Sequence, residues 1–138
     1  MISRARTVQT VFLVWTVFVW GVVRLRNIVS DPLLDGGALL GALALSGLFW
    51  IPALALLVAL WVSRETSVSK RLWVEYGLMG LCGLTIGVWI YKIIDIAIID
   101  NHPIGFIVVH TMLGAISILL AYTVGRQAVG SAGRGFSQ

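Results

Sequence analysis

Four long apolar stretches, residues 7–23, 37–62, 72–91 and 103–124, follow one another with only short charged connections between them. A helix rises about 1.5 Å per residue, so about 20 apolar residues cross the hydrocarbon core of a bilayer. The four stretches bracket that length. They are continuously apolar and do not alternate, which argues against a β-barrel. With 59% hydrophobic and 12% charged residues, the chain also falls outside the usual range of water-soluble domains. The expectation is an all-α membrane protein, a four-transmembrane-helix up-down bundle. The connections at 24–36, 63–71 and 92–102 are short enough to make consecutive helices antiparallel neighbours. On this reading residues 1–124 form one transmembrane domain, and the Gly- and Ser-rich residues 125–138 form a flexible tail.

Charge orients the expected bundle. The net charge of +4 sits at helix ends, which suits lipid headgroups and topology better than nucleic acid. Arg4, Arg6, Arg64, Lys70, Arg71, Arg126 and Arg134 fall on one side; Arg24, Arg26 and Lys92 fall on the other. This imbalance predicts both termini in the cytoplasm and a multi-pass protein of the cell membrane. Asp31, Asp35, Asp95 and Asp100 make the opposite side slightly acidic. The first apolar run ends in Val-Val-Arg24-Leu-Arg26 without a small-residue cleavage site, so it reads as an uncleaved signal anchor. The single Cys82 excludes an intramolecular disulfide.

Helical spacing then assigns faces. Gln9, Leu13, Thr16, Trp20 and Arg24 share one side of the first span, and Thr85, Val88, Lys92 and Asp95 share one side of the third. A different side of the third span carries Gly80, Gly83 and Gly87. The fourth carries His110, Gly114, Ser117 and Ala121 in one stripe. Small residues let helix backbones approach closely in lipid, so both stripes read as packing seams. Pro52 interrupts the second span and is expected to bend it. Trp61 and Trp73 on one side, and Trp20, Trp89 and Tyr91 on the other, read as interfacial aromatics, with Trp50 a packing residue.

Counting from a turn near Asn101 brings Lys92 and His110 to similar depth. The expected polar cluster is Arg24, Lys92, Asp95 and His110 near the extracytoplasmic face, because ionisable groups at membrane depth pair with one another and turn toward the bundle. Lys92 and Asp95 also suit a plain i,i+3 ion pair. Glu75, four residues after Arg71, reads as an interfacial salt bridge. Asp100, Asn101 and His102 before Pro103 read as a helix start.

Other chemistry is poorly served. His102 and His110 are eight residues apart, about 12 Å along a helix, too far to share one metal ion. A bundled b-haem needs two facing axial ligands, and His110 is the sole embedded imidazole. Cys82 has no nearby base. No phosphate loop, Ser-His-Asp set or paired embedded carboxylates occur. The expectation is therefore a chain without catalytic residues, metal or cofactor. It would act in the bilayer as a non-enzymatic accessory or assembly subunit of a larger membrane complex, beside a protein partner or a second copy. The alternative is an oligomeric transporter or channel protomer using the polar cluster.

Overall fold

The computed structural model describes residues 4–62, 68–99 and 102–135. Every element among them is helical: α1 (Arg4–Ser30), α2 (Gly36–Val62), α3 (Val68–Ile94, with a π-helical extension Asp95–Ile99) and α4 (Ile104–Gly135). All four are long and apolar enough to cross a membrane. In lipid a backbone finds no water to bond, so apolar runs of this length close their hydrogen bonds internally as helix. The residues form two compact units, Met1–Val74 and Glu75–Gln138.

In the first unit, α1 and α2 form a hairpin. Its connection is built on Asp31, whose Oδ1 accepts the Leu33 amide at 3.0 Å and whose carbonyl accepts the Leu34 amide at 3.3 Å. Pro32 follows Asp31, a usual pairing in such turns. Gly36 then takes a φ of +43°, where a side chain would be strained, and the Asp35 carbonyl accepts the first helical amide from Leu39. The α2 face toward α1 is Ser46, Phe49, Ala53, Leu56 and Leu60, alternating steps of three and four residues. That is the spacing of a helix packed along one partner. From α1 it meets Phe12, Leu13, Thr16, Val19 and Trp20. The α2 helix is continuous through Pro52.

The α1 helix is not uniform. Residues Val17–Val23 widen into a π-helix over a run with four valines and Gly21, residues that favour the regular helix least. At its end the Arg24 amide reaches back five residues to the Val19 carbonyl. The return to ordinary spacing there leaves a carbonyl without its amide. Trp20 supplies that carbonyl at the switch, and the Ser46 hydroxyl from α2 donates to it. Trp20 also stacks on Phe49, ring centroids 4.0 Å apart and 8° from parallel. Gly21 admits Trp50: a Cβ at position 21 would sit 3.2 Å from the Trp50 Cβ.

In the second unit, α3 and α4 also run antiparallel. Gly114 lies against Trp89 and Ile93, while Gly125 lies against Cys82. The buried α4 residues Gly114, Ser117, Ala121, Val124 and Ala128 again alternate steps of three and four. The helix does not stop at 124 but continues to Gly135, so residues 125–135, read from composition as a tail, are helical. Val124 and Ala128 are fully buried in the hairpin, and that packing carries the helix through a stretch of glycines whose own propensity is poor.

Two tryptophans assigned to the membrane boundary are instead core residues. Trp20 and Trp89 are 4% and 6% exposed, each held in its hairpin seam, whereas Trp61, Trp73 and Tyr91 are at least half exposed.

Candidate functional site

Two ionisable groups of the second unit, Lys92 and Asp95, meet where α3 ends. Lys92 Nζ donates to Asp95 Oδ2 at 3.1 Å, and both side chains are partly shielded. Asp95 opens the π-helical turn Asp95–Ile99, so the ion pair sits where the backbone changes pitch. The Lys92 ammonium also lies 5.6 Å from the Tyr91 ring centre. Such turns recur at functional sites because they offer polar backbone groups that a regular helix would use.

His110 reaches the same level from α4. With Gly114 against Trp89 and Ile93 and Gly125 against Cys82, stepping one turn back along α4 brings His110 opposite residues 93–97. Its Nδ1 is 2.9 Å from the Phe106 carbonyl of its own helix, so the structure ties the imidazole to α4 and ties Lys92 to Asp95. His110 is also part of a stack absent from the sequence reading. Phe106 lies between two imidazoles, its ring centroid 3.8 Å from His110 and 4.4 Å from His102. The signal was present: Phe106 and His110 are four residues apart on one face of α4, and His102 stands four residues before Phe106, just ahead of the helix.

Arg24 belongs to the first unit, where its guanidinium lies 5.2 Å from the Trp20 ring centre, close enough for a cation–π contact. Its Nε is buried with no hydrogen-bond partner among the described residues.

The two small-residue stripes have different surroundings. Gly114, Ser117 and Ala121 lie in the α3–α4 seam, and a Cβ at Gly114 would come within 2.8 Å of both Trp89 and Ile93. Gly80, Gly83 and Gly87 occupy the opposite side of α3. A Cβ on any of them would meet nothing within 4 Å. Glu75 is buried, while the side chain of Arg71, its expected partner, is not among those described, and Asp100 and Asn101 as a helix cap fall outside the described residues. The start of α4 is visible from Pro103, whose carbonyl accepts the Phe106 and Ile107 amides at 2.9 and 3.2 Å. Among the described residues no three His, Cys, Asp or Glu side chains are grouped to hold a metal ion.

A scan of known protein families yields no match to this chain, and comparison with characterised proteins and with solved structures yields none either.

Proposed function

We propose that this chain is a non-enzymatic accessory or assembly subunit of the cell membrane, spanning it four times with both termini in the cytoplasm. One observation carries the reading: α3 has a face packed by α4 and an opposite face of three bare glycines. A helix from another chain can approach such a face to backbone contact, which in lipid is the main source of helix–helix affinity. The distribution of Lys and Arg supports the orientation.

The test is purification from native membranes in mild detergent, wild type beside the double variant Gly80→Leu, Gly87→Leu. Wild type should carry a partner chain at fixed stoichiometry, and the variant should lose it while melting at the same temperature. Wild type that purifies alone, or a variant that keeps the partner, overturns the proposal.

A second reading is favoured by the Lys92–Asp95 pair at a π-helical turn, level with His110. Ionisable groups within a span mark ion or proton paths in many transporters. A homo-oligomer that conducts ions in liposomes, with flux abolished by Asp95→Asn, would replace the accessory reading with this one.

A further inference from the structure

The α3–α4 hairpin has a surface besides its seam. On one flank, Met79, Gly83 and Ile86 of α3 and Tyr122, Gly125 and Arg126 of α4 line a groove of about 420 Å³. Gly83 keeps it open, since a Cβ there would meet nothing within 4 Å, and at Gly125 a Cβ would meet only Cys82, at 3.7 Å. The walls are mainly hydrocarbon. Among the described residues Arg126 is the one charged residue of the lining, and none of the lining is acidic. Its guanidinium lies 5.9 Å from the Tyr122 ring centre, and both side chains are exposed.

Depth decides what such a groove would hold. Residues 104–125 of α4 carry no Lys, Arg, Asp or Glu, a run of about 33 Å at 1.5 Å per residue, close to the ~30 Å hydrocarbon core. Arg126 is the first charge after that run, which puts it at the headgroup boundary. An apolar channel opening beside a boundary cation matches one molecule in two parts: an acyl chain for the channel and a phosphate for the guanidinium. A guanidinium offers a phosphate two parallel donors, and basic pockets between spanning helices are a recurring site for anionic headgroups. The mobile thioether of Met79 adapts to a flexible chain.

We infer that this flank is a binding site for an anionic phospholipid, with one acyl chain along the groove and the headgroup phosphate on Arg126. The groove shares Gly83 with the bare glycine face, while Gly80 and Gly87 lie outside it, so loss of the partner with Gly80→Leu, Gly87→Leu and loss of the lipid preference with Arg126→Gln are read separately.

The experiment is native mass spectrometry of the full chain in detergent, titrated with phosphatidylglycerol and separately with phosphatidylcholine of the same acyl chains. Wild type should bind phosphatidylglycerol five- to tenfold more tightly than phosphatidylcholine. Arg126→Gln should erase that preference, weakening phosphatidylglycerol far more than phosphatidylcholine, and Arg126→Lys should restore part of it. Ile86→Trp, which fills the channel, should weaken both lipids together. Equal affinity of wild type for the two lipids overturns the inference, as does a preference that survives Arg126→Gln. A groove occupied by a second copy, seen as a dimer that excludes lipid and dissociates with Ile86→Trp, overturns it as well. Arg126 is exposed, so its variants keep the test decisive even where Ile86→Trp fails to fold.

Discussion

In the Met1–Val74 unit the helices meet ring on ring, with Trp20 stacked on Phe49 and Trp50 admitted at Gly21. In the Glu75–Gln138 unit they meet large on small, with Trp89 and Ile93 seated on Gly114 and further small residues along the same stripe. Both hairpins show the same alternation of three- and four-residue steps, at 46–60 and at 114–128, so spacing alone does not separate them. The difference lies in who fills the space. Flat rings fill the first seam and need the backbone of α1 to widen. The second seam keeps regular helices from Cys82 to Ile93 against Gly114 to Gly125, where glycine, serine and alanine make room, and α3 changes pitch only beyond that, at Asp95–Ile99.

One hydroxyl behaves differently from the rest. Thr16, Thr85 and Thr123 donate to the carbonyl four residues back in their own helices, at 2.7–2.8 Å, and Ser117 does likewise. Such bonds hold a buried hydroxyl without joining anything across the seam. Ser46 instead reaches the other helix and satisfies the Trp20 carbonyl at the pitch change. The first hairpin therefore carries a hydroxyl bond between helices at its pitch change, whereas in the second it is the Cys82 sulfur that pairs across the seam, with the backbone of Gly125.

This contrast breaks most sharply at Gly114. Gly114→Ala places a methyl 2.8 Å from two large side chains and should destabilise the second hairpin by about 1–3 kcal/mol. Reversible unfolding in detergent measures it, and an unchanged stability would show that the seam yields freely. Gly21→Ala meets Trp50 at 3.2 Å and should cost roughly 1 kcal/mol, the low end of the overpacking range.

Ser46→Ala tests the polar half of the comparison. Interhelical hydrogen bonds in membranes average about 0.6 kcal/mol with a ceiling near 1.7, and removing this one also strands a carbonyl. The matching change Thr85→Val removes a bond within one helix and should alter stability by less than about 0.5 kcal/mol. Equal effects would erase the distinction between the hairpins. A double-mutant cycle on Lys92 and Asp95 should give a coupling below about 1 kcal/mol, because both side chains keep part of their exposure. Smallest of all, Gly80→Ala should change the isolated chain's stability by no more than about 0.5 kcal/mol, since nothing lies within 4 Å.

Much of this was legible beforehand. Long apolar runs imply spans, and the residues Leu13, Thr16 and Trp20 that share a face by spacing are indeed buried together. The Lys92–Asp95 contact follows from three-residue spacing on one helix. The burial of Trp89 was not legible, because a tryptophan near a span's end suits a lipid boundary and a seam equally well, and at Trp20 the shared face and the boundary position pointed to different roles. Nor was the helical course of residues 125–135, since composition records propensity and not the packing that overrides it. The π-helical turns escaped for a related reason: a run such as VFVWGVV tolerates a wider pitch, but the partner carrying Ser46 sits 26 residues away.

Local chemistry thus determined the number of helices, their lengths and the stripe each presents, because long apolar runs close nearly all their backbone bonds inside their own segment. The tertiary structure decided which stripe is filled and which stays bare, which tryptophan is core, and where a carbonyl needs help from the next helix. Those outcomes depend on atoms brought within a few ångströms by the meeting of two segments, and no single segment contains that information.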